Sequence, residues 1–319
     1  MKKRILLVGS LLVFGLMSQS CATGRVDNNF KNVGILQIAT HEALDLARKG
    51  FIETLDANGF VEGKNINFTI QNPEGDASKQ NSIAKSLVLA NDLVFGISTG
   101  SAQALKSQAI DIEKDLPILF SAVTDPKAAK LVPSSEYENI TGTSDEGDTA
   151  KNVSLFSHFD FIKNIACLYN SAESNSQIQK DECKIACANF NLKYVDAGIT
   201  SATQLKSTLQ SLVAKGVNGI FIPTDNMIAE NIASIKELAI DNKIVLVCAD
   251  TSIVKNGGSL GYGVDYFALG KQTGVIASKI LKGEKEAKDI PFEKSSSFSL
   301  EINETFFKDS GIELPNDLK

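Results

Sequence analysis

Short apolar runs alternate with amphipathic stretches along most of the chain. Val33 to Ile38 is a compact apolar run of the kind a buried strand needs. Glu42 to Asn58 then carries Leu44, Ala47, Phe51 and Leu55 at helical spacing, and Gly59 stops it. The alternation continues. Asn65 to Ile70 reads as strand, Ser78 to Ala90 as helix, Leu93 to Ile97 as strand, Ser101 to Ile110 as helix, and Pro117 to Phe120 opens a further strand. Asp125 to Thr149 is polar and turn-rich. After it the rhythm restarts, with strands at Lys163 to Tyr169, Leu192 to Asp196, Gly219 to Ile222 and Ile244 to Cys248. Helices at Ile178 to Asn189, Ala202 to Ala214 and Ile228 to Asp241 separate them. This predicts an α/β chain of two similar lobes, each a parallel sheet with helices on both faces. The polar segment is expected to cross between them. A late helix, Tyr266 to Leu281, and a late strand, Ser297 to Ile302, must dock on lobes already formed, so more than one crossing is expected.

The first twenty residues have a different pattern. Lys2, Lys3 and Arg4 precede an apolar run of thirteen residues from Ile5 to Met17, followed by Ser18-Gln19-Ser20-Cys21. This is the layout of a secretory signal, and the run is too short for a comfortable membrane span. Cys21 directly after small residues resembles a bacterial lipoprotein signal, in which that cysteine becomes the lipidated first residue. Ser18 departs from the leucine usual there. Residues 21–31 then read as a polar tether.

Length and charge narrow the classes. At 319 residues the chain suits two domains, and 43% hydrophobic with 22% charged residues is ordinary for a globular protein. A net charge of −6 argues against a nucleic-acid partner. Removing residues 1–20 takes away three basic residues and no acidic one, so the exported part is more acidic still. Two histidines, His41 and His158, leave little material for a metal site, and neither a cofactor nor a metal is expected. Cys167, Cys183, Cys187 and Cys248 permit disulfides in an exported protein but read first as small buried apolar residues. No G-x-S-x-G, P-loop or H-E-x-x-H motif is present, and Gly261-Tyr262-Gly263 fails as a dinucleotide fingerprint, so no enzyme activity is expected.

Ligands of open α/β sheets bind outside the C-terminal ends of the strands. Six such ends carry polar residues: Thr40-His41-Glu42, Ser98 to Gln103, Thr124-Asp125-Pro126, Asn170 to Ser176, Pro223-Thr224-Asp225-Asn226 and Ala249-Asp250-Thr251. Ser98 to Ser101 precedes a helix, where free N–H groups and hydroxyls suit a carboxylate. Asp225 and Asp250 suit an ammonium group. Together they describe a zwitterion, although Ser101, Asn175 and Asp225 are equally good helix N-caps and a cap can face a ligand.

Several stretches resemble the bacterial ABC-transporter substrate-binding lipoproteins of the tryptophan/tyrosine/phenylalanine-binding kind. They are Gly34 to Ile38, His41 to Phe51, Gly100-Ser101-Ala102-Gln103, Thr124-Asp125-Pro126, Tyr169-Asn170-Ser171 with Glu173, Asn175 and Ser176, and Pro223 to Asn226. Leu260 to Tyr266 before Gly270-Lys271-Gln272-Thr273 completes the set. Glu42 and Gly100 depart from prolines common in that family. The resemblance implies a type I periplasmic-binding-protein fold, two Rossmann-like lobes with three hinge crossings. It would place residues 32–123 and 251–288 in one lobe, and 124–250 and 289–319 in the other. It further implies an aromatic amino acid held in the cleft of a monomer that is exported, anchored by lipid at Cys21 or free in the periplasm, and read by a permease with its ATPase. Ser98, Thr99, Ser101 and Gln103 are then expected at the carboxylate, and Asp225, Asn226 and Asp250 at the ammonium. Asn170, Ser171, Asn175 and Ser176 would complete the polar shell with Thr124 and Asp125, and His41 and Tyr262 would face the side chain. A clamshell that serves a receptor, or one that binds a nucleoside or another metabolite, is the alternative. The absence of Trp tilts mildly against sugars.

Overall fold

The computed structural model describes residues 30–318. The expected signal segment, Cys21 and nearly all of the expected tether lie outside them; Lys31, the last tether residue, already opens the first strand.

The chain forms β1 (Lys31–Gln37), α1 (Glu42–Ala57), β2 (Ile66–Gln71), α2 (Ala77–Ala90), β3 (Leu93–Ile97), α3 (Thr99–Asp111), β4 (Ile118–Val123) and β5 (Ile140–Ser144). It then crosses into α4 (Thr149–Ser154), β6 (Asn164–Asn170), α5 (Ser174–Asn189), β7 (Lys193–Ile199), α6 (Leu205–Ala214) and β8 (Gly219–Ile222). The same lobe continues through α7 (Asn226–Glu230), α8 (Ile232–Asp241), β9 (Val245–Cys248), α9 (Thr251–Asn256) and β10 (Leu260–Val264). The chain returns for α10 (Tyr266–Leu281) and β11 (Glu293–Lys294), and crosses a third time to β12 (Phe298–Ile302) and α11 (Glu304–Ser310).

Two six-stranded sheets result, ordered β11-β5-β4-β3-β1-β2 and β12-β10-β9-β8-β6-β7. All neighbours run parallel except β10 and β12. Central strands such as β3 and β4 are buried along their whole length, because helices cover both sheet faces. In the first lobe one face packs Phe51 of α1 on Phe95 of β3, with ring centroids 4.2 Å apart. The other face packs Leu87, Leu105 and Phe120. The second lobe has one continuous core around Phe156, Cys167, Phe221 and Val247. Glycine allows α10 to lie close on α1: a Cβ on Gly270 would sit 2.0 Å from the Ala47 carbonyl oxygen.

The lobe boundaries differ from those expected. β5 pairs with β4, so Ile140 to Ser144 belongs to the first sheet rather than to a crossing or the second lobe. Its sequence, ITGTS, has no apolar run to announce it. The hydroxyls of Thr141, Thr143 and Ser144 are nevertheless fully buried, and Thr143 bonds Ser121 at 3.0 Å and Thr273 at 2.7 Å. Thr251 to Val264 belongs to the second lobe, since β10 pairs with β9 and β12. Two glycines hid that strand. Gly261 and Gly263 are needed because a Cβ there would lie 1.9 Å and 2.5 Å from neighbouring carbonyl oxygens. β11 pairs with β5, which returns residues 293–294 to the first lobe. The expected helix Ile228 to Asp241 is split into α7 and α8 at Asn231. All four described cysteines are buried and unpaired. Among the described residues no helix is long and apolar enough to cross a membrane, and no cluster of metal-ligating side chains is found.

Candidate ligand-binding site

The C-terminal strand ends of the two sheets face each other and enclose a cavity of about 20 Å³. The first lobe and its crossings contribute His41, Ala43, Leu44, Ser98, Thr99, Ala122, Thr124, Asp145 and Tyr266; the second contributes Asn175, Thr224, Asp225, Asn226 and Asp250. Two hydrogen bonds join the lobes across it, His41 Nε2 with Asn226 Oδ1 at 3.1 Å and Thr124 with Thr224 at 3.1 Å. A third closes the rim, from Asn256 Nδ2 to Glu42 Oε2 at 2.6 Å. The space suits about one water, so a larger solute enters only when the lobes part.

The backbone around the cavity is strained. Ser98 caps α3 at φ 99°, and Ala122 sits at φ 55° where the β4–β5 register shifts. Such conformations cost about 1–3 kcal/mol each in a residue with a Cβ, and they collect at working sites. In the second lobe the acids sit at helix starts. Asp225 accepts from Ile228 N at 2.9 Å and from Asn170 N at 2.6 Å. Asp250 accepts from the backbone and hydroxyl of Ser252, both at 2.7 Å.

Proton accounting shows which groups are already occupied. Asn226 gives its amide hydrogen to Glu173 at 2.6 Å, so its oxygen faces His41 and the His41 Nε2 must carry the proton. Thr224 donates its hydroxyl to Gln179 at 3.0 Å, which makes Thr124 the donor in the bond between the two threonines. Asp145 Oδ2 accepts from the Tyr266 hydroxyl at 2.8 Å. Three buried atoms of this cavity are left with no partner: His41 Nδ1, Thr99 Oγ1 and Asp145 Oδ1. Unpartnered buried polar atoms are costly, and here all three are on the first-lobe side of the cavity.

The field in the cavity is negative. Asp145, Asp225 and Asp250 line it, and among the described residues no Lys or Arg does. Burial pushes the Asp145 carboxyl up to about 6, against the help of the Tyr266 and Thr124 hydroxyls. Burial also raises Asp225, with Glu173 adding to the rise, and raises Asp250, which His41 partly offsets. A site of this kind favours a cationic group.

Of the residues singled out from sequence, His41, Ser98, Thr99, Thr124, Asn175, Asp225, Asn226 and Asp250 line the cavity. Ser101 is fully buried just behind Ser98, and its N–H is bound to the Ser98 hydroxyl. Six others do not line the cavity, though Gln103 and Asn170 line a wider groove beside it. Gln103 is exposed and donates to Ala129 O. Asp125 caps the turn at Lys127 and Ala128. Asn170 is tied to Glu173, Ser171 donates to Ile199 O, and Ser176 donates to Thr224 O behind the cavity wall. Tyr262 lies on β10 with its ring stacked on Phe298 and Lys151 over its face. Asp145 and Tyr266 were missed as site residues, because both depend on a strand or crossing that the pattern did not reveal. A wider groove of about 570 Å³ borders the cavity and shares Asn175 and Asn226 with it. Ile38 and Gln80 line it on one side, Met227 and Glu230 on the other.

Comparisons with known proteins identify the family of the chain. The family described as "ABC transporter substrate binding protein" matches residues 32–319. The chain is 34% identical over 318 residues to a tyrosine-binding protein of Clostridioides difficile (strain R20291), covering 94% of this chain and 90% of that one. An ABC domain from Streptococcus pneumonia solved in complex with L-Trp superposes with a TM-score of 0.83 at 32% identity, over 91% of this chain and 97% of that one. A ligand-free, open substrate-binding protein with adhesive properties from Clostridium difficile reaches only 0.66 at 36% identity, over 90% and 97%. The two-lobed α/β fold is that of the type I periplasmic binding proteins, and the chain belongs to the ABC transporter substrate-binding protein family.

Proposed function

We propose that this substrate-binding protein captures an amino acid with an aromatic side chain and presents it to an ABC permease. The observation that carries the ligand class is the cavity itself: a carboxylate-rich enclosure at the interlobe cleft, with unpartnered buried polar atoms that a small zwitterion can satisfy. The tyrosine-binding relative and the tryptophan complex support the aromatic side chain. The neighbouring groove, at about 570 Å³, is within the usual size of small-molecule pockets and gives that side chain room.

The mechanism follows from the contacts. With the lobes parted, a solute reaches the strand ends. Closing brings His41 to Asn226, Thr124 to Thr224 and Glu42 to Asn256, and excludes water. The ligand favours the closed state by the difference in its contacts between the two states. The permease then reads the closed form. We further propose that the chain acts as a monomer outside the cytoplasm, tethered through lipid on Cys21.

Calorimetry with a panel of amino acids, paired with solution scattering, tests this reading. Heat from L-tyrosine, L-phenylalanine or L-tryptophan and a smaller radius on saturation are expected. Superimposable scattering and no heat from any of the three would refute it.

A further inference from the structure

We propose that both ends of the bound amino acid are held by the first-lobe side of the cleft, with Asp145 accepting its ammonium group and Thr99, at the start of α3, donating to its carboxylate, while the second lobe acts as a lid. This rests on the amino-acid reading above and adds which side chains read the zwitterion.

The division of hydrogen bonds between the lobes supports it. On the second lobe most polar lining groups are engaged within the protein, although both Ser252 bonds to Asp250 go to the same oxygen, Oδ1. Asp225 holds two backbone N–H groups, Asn175 donates to Thr224 O, and Asn226 bridges Glu173 and His41. Asp250 holds the first turn of α9 through Ser252. On the first-lobe side, Asp145 is 4% exposed, with Oδ2 fixed by Tyr266 and Oδ1 left without a hydrogen-bond partner, although the Thr124 hydroxyl is near enough to favour the charged carboxylate. Thr124 stands beside it but spends its only hydroxyl proton on Thr224. A carboxylate anchored at one oxygen and open at the other is a preorganised acceptor for a charged N–H donor. Thr99 is equally buried, at 4% exposed, and its hydroxyl is the only unpartnered hydroxyl on the cavity wall among the described residues. It begins a thirteen-residue helix whose N-terminal dipole favours an anion, and no buried acid shares that helix's first turn.

The test crosses ligands with variants. The aromatic amino acid that binds wild type best is compared with its α-deamino acid (3-phenylpropionate, 3-(4-hydroxyphenyl)propionate or indole-3-propionate). It is also compared with its decarboxylated amine (phenethylamine, tyramine or tryptamine). Asp145→Asn is expected to weaken the amino acid by about 10- to 100-fold, the worth of a buried charge-assisted bond. It should also shrink the preference over the deamino acid by about 10-fold or more. Asp225→Asn is expected to weaken both alike and keep that preference. Thr99→Val is expected to shrink the preference over the amine instead. Tyr266→Phe leaves the Asp145 charge but frees its anchored oxygen, and should shrink the preference over the deamino acid severalfold. Tyr266→Phe therefore decides the matter if Asp145→Asn does not fold. The assignment is overturned if Asp145→Asn or Tyr266→Phe keeps the wild-type preference, or if Asp225→Asn loses it. A wild-type protein that binds none of the amino acids overturns the functional reading and this assignment together.

Discussion

Replacing Asp145 by Asn changes one atom and is expected to stabilise the ligand-free protein at neutral pH. The carboxyl is buried, and burial pushes it up to about 6 from an ordinary 3.8. The folded protein thus holds this proton more tightly than the unfolded chain does. Stability therefore falls as pH rises from about 4 to about 6 and stays lowered above that range. At about 1.4 kcal/mol for each pH unit, the gap amounts to about 3 kcal/mol at pH 7. Asparagine has no charge to desolvate, and its oxygen still accepts from Tyr266. Allowing about 1 kcal/mol for the weaker bond and an unpartnered amide, the variant should gain about 2 kcal/mol at pH 7.5, and the gain should disappear and turn into a small loss as pH falls to about 4. Asp225 and Asp250 are raised too, facing Glu173 and His41 respectively, and they remain in the variant, so the pH profile flattens without vanishing. Asp76, lowered by the backbone N–H of Lys79, and Asp317, lowered by His158, act in the opposite direction, but both are exposed and screened. The assay is urea unfolding of ligand-free wild type and variant at pH 4.5, 6 and 7.5. A variant less stable than wild type at pH 7.5, or a difference that ignores pH, would refute the reasoning. A destabilising acid kept in a binding cavity is the trade expected where function needs the charge.

Other consequences are open to measurement. Ser98 holds φ 99°, and both Ser98→Gly and Ser98→Ala lose the hydroxyl that caps Ser101 N–H, but only glycine relieves about 1 kcal/mol of strain, so Ser98→Gly should show a higher thermal midpoint than Ser98→Ala. Gly142→Ala would place a Cβ 2.0 Å from the Phe120 carbonyl oxygen at φ 158°, and a loss of more than about 3 kcal/mol in urea unfolding is expected. Cys183 is pushed up by its contact with Cys167 and by burial, Cys248 by burial, and all four described cysteines are buried. A thiol reagent such as DTNB should label none of these four until the protein unfolds; rapid labelling of the native state would contradict the packing. Asn256→Ala removes the rim bond to Glu42 without touching the cavity lining. It should shift the lobes toward the open form and weaken ligand binding severalfold, seen by calorimetry and a larger radius in scattering.

The sequence by itself determined the two α/β lobes, most strands and helices, and the fact that polar residues gather at the strand ends. Apolar runs such as Leu93 to Ile97 and helical spacing such as Leu44, Ala47, Phe51 and Leu55 record burial directly, and burial is what a local pattern can encode. Strands whose burial is satisfied by partners far away were not legible. Ile140 to Ser144 is a strand because Ser121 and Thr273 take up the Thr143 hydroxyl, and Leu260 to Val264 is one because its glycines admit the neighbouring strand. The site followed the same division. Which strand ends carry hydroxyls and carboxylates is written in the chain. Which of those atoms remain without a partner depends on bonds such as Asp145 to Tyr266 and Thr124 to Thr224, 121 and 100 residues apart. The free valences that a ligand meets are what remains after every long-range pairing has been made, so only the tertiary structure could decide them.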